Sequence, residues 1–157
     1  MHASYLKKVN NSFLYRLFLI AKLPIAWISG LKVNKVTAEK AEISIRYKYL
    51  NQNPFKSMYF ACQAMAAEMS TGLLAMGYID SQTAKISMLV LDLSCKFTKK
   101  AVGEIQFVCD DGILVKEAIQ KAVDTNEGVL CEMTSIGYDQ KGDCVSVFKI
   151  KWSFKTK

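Results

Sequence analysis

A long apolar segment at residues 57–76 constrains the fold of this chain more than any other feature. The segment is rich in Ala and Met. It begins at Ser57, whose hydroxyl can cap a helix, and it stops before Gly77, a residue type common just beyond helix ends. Because apolar residues surround the whole helix, it must be covered by other elements rather than lie open on the surface. The sequence therefore predicts one long central helix.

Segments on both sides of this helix alternate apolar and polar residues, which is the pattern of strands with one buried face. A second helix is predicted over residues 113–125, capped by Asp110 or Asp111, between the fourth and fifth strands. Short links between successive strands favour an antiparallel sheet. The prediction is one α+β domain over residues 1–157. The predicted strands cover residues 26–37, 41–49, 89–98, 104–109, 129–138 and 144–155.

The N-terminal residues 12–31 are strongly apolar and about as long as a membrane-spanning helix. Arg16, Lys22 and Pro24 interrupt the run, and charges at bilayer depth are costly. We therefore predict a helix over Ser12–Lys22 that ends at Pro24, followed by the first strand. Peripheral attachment to a membrane through this basic, aromatic helix remains an alternative.

Positive charge is concentrated in the first third of the chain. Residues 1–50 hold nine Lys or Arg and two Asp or Glu, whereas residues 51–157 hold twelve of each. Such an excess favours anionic partners such as nucleic acid, anionic lipid or a phosphate-bearing cofactor, and a solvated surface explains it equally well. The cations are scattered and no zinc-finger, helix-turn-helix or RNP pattern accompanies them, so nucleic acid is not an expected partner.

The cysteine and histidine content limits the kinds of catalytic and metal-binding site that the chain can form. The five cysteines have no C-x-x-C spacing, which favours a reducing cytoplasm with cysteines as small packing residues. The only histidine is His2, which argues against a Ser-His-Asp or Cys-His site and against a metal held by imidazole. The sequence contains neither a Walker motif nor a G-x-G-x-x-G motif, so nucleotide hydrolysis and dinucleotide binding have no support.

Glu68 is the one charged residue in the central helix, and at 100° per residue it lies on a stripe of small residues. A carboxylate among apolar residues is costly unless it has a partner or a role. Two interpretations stay open: an ion pair with a Lys or Arg, or an acid in a ligand channel. The small residues of the stripe are Ala61, Ala64, Gly72 and Ala75. The neighbouring stripe, predicted to be core, holds Met58, Cys62, Met65, Met69, Leu73 and Met76.

The stretch Asn53–Glu68 resembles the central-helix signature of hot-dog-fold acyl-CoA thioesterases, in the phenylacetyl-CoA thioesterase-like group. That signature runs Asn-His-x-Gly-Thr-x-His-Gly-Gly-Ala, then five residues, then Asp or Glu, and the spacing matches throughout. Lys56 stands at the first Gly. The other matched positions are Asn53 at Asn, Ser57 at Thr, Tyr59 at His, Phe60 and Ala61 at Gly-Gly, Cys62 at Ala and Glu68 at the acid. Within the superfamily the chain resembles an uncharacterised bacterial branch, of which the helix between the fourth and fifth strands is a feature.

The resemblance implies a hot-dog fold, in which an antiparallel sheet wraps around one long central helix. It also implies that Glu68 acts as general base or nucleophile, with the backbone N–H groups of Phe60 and Ala61 as oxyanion hole. Asn53 would orient water or the thioester, and Tyr59 would donate a hydrogen bond. Further candidate substrate-binding residues are Lys56, Ser57, Thr71, Gly72, Lys96, Lys99 and Lys100.

A coenzyme A thioester is the implied substrate, and no separate cofactor is expected. The resemblance also implies a homodimer or a dimer of dimers, with each site completed by the partner chain. The departures at Tyr59, Phe60 and Ala61 keep an alternative open, in which the protein binds an acyl-CoA or fatty acyl chain without catalysis.

Overall fold

Six strands form one antiparallel sheet in the computed structural model, which describes residues 1–157. In chain order the strands are β1 (Lys32–Val36), β2 (Ala41–Arg46), β3 (Ile86–Phe97), β4 (Glu104–Cys109), β5 (Val129–Tyr138) and β6 (Cys144–Thr156). Their order across the sheet is β1-β2-β4-β5-β6-β3, so β1 and β3 are the edges. The antiparallel sheet predicted from the sequence is confirmed.

Five α-helices accompany the sheet. They are α1 (Ala3–Val9), α2 (Ser12–Lys22), α3 (Pro24–Ser29), α4 (Phe60–Ile79) and α5 (Gly112–Thr125), and a short 3-10 turn covers Tyr49–Asn51. The twenty-residue helix α4 is the predicted central helix, and α5 lies between β4 and β5 as predicted. None of the five combines the length and the apolar character that crossing a membrane requires.

The core lies between α4 and one face of the sheet. On β6 the side chains of Phe148, Ile150, Trp152 and Phe154 are buried on this inner face, while the lysines between them point to the other side. Helix α4 packs mainly against β2, β4 and β5. The edge strand β3 is left largely uncovered. A sheet wrapped around one central helix is the hot-dog arrangement, which confirms the fold implied by the resemblance.

The N-terminal region differs from the prediction. Helix α2 has the predicted bounds, but the strand predicted over residues 26–37 is wrong in its first part, because Pro24–Ser29 is helical. Proline fits the first turn of a helix, where its missing N–H is not needed, so Pro24 starts a helix as well as ending one. Gly30, with φ of 86°, closes α3, and β1 begins only at Lys32. Helix α1 was not predicted.

The central helix is also shifted relative to its predicted bounds. It begins at Phe60 rather than Ser57, because residues 53–58 form a loop. It continues through Gly77, which the sequence suggested as a stop, to Ile79. Gly77 serves close packing instead: a Cβ atom there would lie 2.6 Å from Cε of Met1 and 2.7 Å from Cε1 of Tyr5. Glycine at this position therefore lets α1 pack directly on α4.

Helix α5 is fixed at its first turn by contacts with β5 and with the turn between β1 and β2. The Gly112 N–H donates to the Glu39 carbonyl, and a Cβ at Gly112 would lie 2.2 Å from the Ala38 carbonyl oxygen. Asp111 stands at the N-cap as predicted, but its carboxylate accepts from the Thr134 N–H on β5 (2.6 Å) instead of capping the helix. The start of α5 is thereby joined to β5 and to the β1–β2 turn.

Candidate active site

The loop before α4 is organised by the side chain of Asn53. Its Oδ1 accepts from the backbone N–H groups of Phe55 (2.9 Å) and Ser57 (3.3 Å), and its Nδ2 donates to Ser57 Oγ (3.1 Å). Ser57 is buried by this arrangement. The polar atoms of both predicted site residues are therefore engaged in shaping the loop. Their contribution to a site is to set where α4 begins.

Lys56 lies in this loop in the left-handed backbone region, with φ of 57°. This conformation strains any residue with a Cβ and is adopted readily by glycine. The thioesterase signature has glycine at this position, so the backbone keeps the glycine conformation although the residue is Lys. The Lys56 side chain is exposed beside the start of α4.

The first turn of α4 leaves two backbone donors free. Tyr59 N–H donates to the Asn51 carbonyl (2.8 Å) and Cys62 N–H to the Tyr59 carbonyl (3.0 Å), whereas the N–H groups of Phe60 and Ala61 have no acceptor within the chain. Unpaired first-turn amides and the helix dipole together favour a negatively charged oxygen at this point. The backbone geometry required of the predicted oxyanion hole is present.

Two aromatic rings flank these donors. Tyr59 and Phe60 are 48% and 52% exposed, and their rings meet edge to face with centroids 5.1 Å apart. The Tyr59 hydroxyl makes no hydrogen bond within the chain and is free to donate one to a ligand. Phe60 places an exposed ring at the position where the signature has glycine.

Glu68 lies on the same face of α4 as these donors, about 10 Å along the helix axis from Ala61. Its carboxylate lies beside the next turn of α4, where Oε1 is 3.9 Å from the position that a Cβ at Gly72 would take. It has no ion-pair partner: the four salt bridges of the chain all involve other residues. The residue is exposed, yet the apolar groups around it displace enough water to raise the pKa of the Glu68 carboxyl. Glu68 therefore forms no ion pair within this chain, and the interpretation of an acid in a ligand channel stays a prediction.

Gly72 keeps space open beside the Glu68 carboxylate. A Cβ at Gly72 would lie 3.9 Å from Glu68 Oε1 and 3.6 Å from the Trp152 ring. Thr71 is buried, with its Oγ1 accepting from Trp152 Nε1 (3.0 Å) and donating to the Glu68 carbonyl (3.0 Å). Thr71 therefore anchors α4 to β6 and has already donated its hydroxyl hydrogen, whereas Gly72 lies between Glu68 and Trp152.

The structure separates the lysines proposed for substrate binding. Lys100 Nζ donates to the Phe55 carbonyl (3.3 Å), which brings Lys100 to the loop that also carries Lys56. Lys99 is held by the carboxylates of Asp139 and Asp143, so its charge is already balanced. Lys96 pairs with Val147 in the β3–β6 register, which turns it to the sheet face opposite α4. Lys56 and Lys100 are therefore the cations at the start of α4.

Tyr15 was not identified from the sequence. It lies buried on the inner side of α2, and its pKa is raised by burial and, secondarily, by the negative charge of Glu68. This places the Tyr15 hydroxyl within electrostatic range of the carboxylate. The sequence shows only an aromatic residue in an apolar helix, and no local pattern indicates that its hydroxyl lies within electrostatic range of Glu68.

A family model matches residues 12–154, nearly the whole chain. The family is described as a domain of unknown function, DUF4442. The chain belongs to the DUF4442 family. A comparison of this DUF4442 chain with curated proteins gives no match.

Solved structures share its fold. A protein of unknown function from Pseudomonas aeruginosa, described as a probable thioesterase, has a TM-score of 0.77 and 17% identity, covering 92% of this chain and 95% of that one. A protein of unknown function from Chlorobaculum tepidum has a TM-score of 0.79 and 13% identity, covering 98% and 99%. A thioesterase from Staphylococcus aureus has a TM-score of 0.62 and 12% identity, covering 84% and 98%. These likenesses show that the DUF4442 chain has the same fold.

Proposed function

We propose that this DUF4442 protein hydrolyses an acyl thioester at the first half of α4. The observation that carries the proposal is an unpaired carboxylate on the same helix face as two unpaired backbone donors. Phe60 N–H and Ala61 N–H form the oxyanion hole, and Glu68 is the base or nucleophile. This combination suits acyl transfer, because negative charge develops on the carbonyl oxygen while water must lose a proton.

In the hydrolytic step Glu68 takes a proton from water and the resulting hydroxide forms a bond to the carbonyl carbon. The carbonyl oxygen becomes an oxyanion held by the Phe60 and Ala61 N–H groups. Collapse of this intermediate breaks the carbon–sulfur bond, and the proton held by Glu68 passes to the departing sulfur. In the nucleophilic variant Glu68 attacks the carbonyl itself and water then hydrolyses the anhydride. Desolvation raises the pKa of the Glu68 carboxyl, which makes its carboxylate a stronger base.

The solved structures of similar fold support a thioesterase role. The Staphylococcus aureus thioesterase was changed to alanine at a glutamine and, separately, at a glutamate fifteen positions further along the chain. Asn53 and Glu68 have the same separation. In this protein the amide of Asn53 shapes the loop that sets the start of α4, so we assign Asn53 a positioning role.

The acyl carrier in this proposal is coenzyme A or an acyl-carrier protein. Lys56 and Lys100, which both lie at the loop before α4, would bind the carrier's phosphates. Lys96 and Lys99 are left out of this role. All five cysteines are free, which fits the reducing cytoplasm where such thioesters are used.

A second copy of the chain completes the site in this proposal. Strand β3 is an edge strand of twelve residues, and Leu89, Leu91, Leu93 and Phe97 on it are 41–62% exposed. A long apolar edge with free N–H and C=O groups is a template for strand pairing. Pairing of β3 with β3 of a second copy would extend the sheet and close the open side of α4, where Glu68 lies.

The proposal is tested by thiol release from a panel of acyl-CoA substrates. The parent is expected to turn over at least one of them, and Glu68→Gln to lower kcat by about 10²–10⁴-fold. Glu117→Gln, a matched change at an exposed position of α5, should leave kcat unchanged. Failure of every substrate, or a Glu68→Gln protein as fast as the parent, would overturn the proposal.

Acyl binding without hydrolysis is the second candidate, and the exposed Phe60 ring at the first donor favours it. It predicts heat of binding with an acyl-CoA and no thiol release. Phe60→Gly discriminates the two candidates. If Phe60→Gly hydrolyses an acyl-CoA that the parent does not, the Phe60 ring is what prevents hydrolysis in the parent. If both proteins bind acyl-CoA without hydrolysing it, the result supports a protein that only binds acyl groups.

A further inference from the structure

Helices α2 and α3 expose large apolar side chains on the side away from the core. Tyr15 and Leu19 face inward and are buried, but the outward side of α2 is apolar as well. A helix that is apolar all round is expected to be covered on every side. We call this exposed region the N-terminal apolar surface. It includes Phe13, Leu17, Ile20, Leu23, Ile25 and Trp27, which are 39–67% exposed.

The segment that carries the N-terminal apolar surface has basic residues and no acidic ones. Residues 1–35 contain six basic residues and no Asp or Glu. All six are exposed. They are Lys7, Lys8, Arg16, Lys22, Lys32 and Lys35. Exposed aromatic and aliphatic residues among basic ones, with no acid, are the composition of helices that lie in the interface of anionic membranes.

A groove of about 680 Å³ borders this surface between α2, α3 and β1. Phe13 and Trp27 supply apolar walls, and Arg16, Lys32 and Lys48 bring three cations to the same groove. Lys48 Nζ is fixed by donating to the Ile28 carbonyl (2.8 Å). The groove offers a place where a phosphate headgroup meets cations while its acyl chains meet apolar walls.

We propose that the N-terminal apolar surface docks on an anionic lipid bilayer, with α2 and α3 lying in the interface. Anionic headgroups complement the six cations, and the acyl region covers the apolar side chains. A second copy of the chain fits poorly here, because it would bring six more cations against the first six without one carboxylate. This inference is independent of thioester hydrolysis.

Vesicle co-sedimentation tests the docking. Mixed phosphatidylcholine and phosphatidylglycerol vesicles should pellet the protein at low salt, and pure phosphatidylcholine vesicles should pellet much less. Raising salt from roughly 50 to 500 mM should release it, since screening shortens the range of the attraction. Trp27 emission should shift to the blue on binding, because Trp27 is half-exposed and Trp152 is already buried. In Trp27→Phe the shift should vanish while sedimentation persists.

Matched variants show whether vesicle binding depends on the N-terminal apolar surface or on the overall charge of the protein. Phe13→Ser with Ile25→Ser changes two side chains that are each 67% exposed, so the fold should survive, and the partition coefficient should fall at least about tenfold. Arg16→Glu with Lys22→Glu should have a similar effect. Lys116→Glu with Lys121→Glu on α5 makes the same charge change elsewhere and should bind nearly as the parent does.

Three results would overturn the inference. The first is a parent that stays in the supernatant with anionic vesicles at low salt. The second is a control pair that weakens binding as much as the α2 pair. The third is a parent oligomer that falls apart in the serine variant during ultracentrifugation, which would assign the surface to a second copy. Circular dichroism on each variant confirms that it is folded.

Discussion

At the scale of single residues, the ionised Glu68 carboxylate lowers the stability of the folded chain. Its pKa is raised by desolvation, so the charged form is less favourable in the folded chain than in the unfolded chain. Below the unfolded pKa of about 4.3 both states are protonated and no penalty exists. As pH rises through that value toward the folded pKa, stability is lost, and the loss is complete above the folded pKa.

Glu68→Gln should therefore raise the melting temperature at pH 7–8 and leave it unchanged near pH 4. Thermal unfolding of both proteins across this pH range measures the effect. The Glu117→Gln protein controls for loss of one negative charge. A Glu68→Gln protein that melts at or below the parent temperature at neutral pH would contradict the desolvation argument.

Lys56 is the second residue with an identifiable strain. The left-handed conformation costs a residue with a Cβ about 1–2 kcal/mol, and glycine avoids this cost. Glycine also has more conformational entropy in the unfolded chain, which offsets part of the gain in stability. We expect Lys56→Gly to raise the free energy of unfolding, measured in urea, by up to about 1 kcal/mol. Lys56→Ala keeps the Cβ and should gain nothing. Equal stability of the two variants would remove strain as the explanation.

Residue spacing was enough to single out Glu68, because helical periodicity fixes which residues share a face. The N–H groups of Phe60 and Ala61 were indicated by the resemblance to the thioesterase signature. Residue spacing could not show that the side chain of Asn53 is consumed by its own loop. It also could not show that Lys99 is held by a hairpin forty residues away or that Lys96 faces the wrong side of the sheet. Those facts depend on strand register and long-range pairing, which no local pattern encodes.

At the scale of elements, the start of α5 depends on the absence of a side chain. A Cβ at Gly112 would meet the Ala38 carbonyl at 2.2 Å and Glu39 Cα at 2.5 Å, and both are backbone atoms that cannot turn away. We expect Gly112→Ala to lower stability by more than about 2 kcal/mol despite its better helix propensity. Gly128→Ala has nothing within 4 Å of the new Cβ and should be nearly neutral. Chemical denaturation compares them, and similar stabilities would refute the close approach.

Helices and strands were predicted correctly where the apolar pattern extends over many residues, and wrongly where the apolar run is short. The bounds of α2, β4 and β5 are as the sequence indicates. Residues 24–29 are an apolar run too short to show whether its period is that of a helix or a strand, and the strand interpretation was wrong there. The start of α4 moved because hydrogen bonds from Asn53 compete with the first helical turn.

At the scale of the whole molecule, the uncovered edge of the sheet predicts assembly. We expect the parent to sediment as at least a dimer of the 17.6 kDa chain. Leu91→Lys places a charge on the exposed edge and should shift the protein toward monomer and lower any thiol release. Leu130→Lys is the matched control, on β5 away from the β3 edge and 59% exposed. A monomeric parent that hydrolyses acyl-CoA would show that the site is complete in one chain.

The uneven placement of charge makes the molecule an electric dipole. The surplus of positive charge lies in residues 1–50, and the remaining residues have no net charge. In the field of an anionic surface the protein rotates before contact, so that its basic N-terminal third arrives first. Orientation is thus decided during approach, at distances of about a Debye length, rather than by trial after collision.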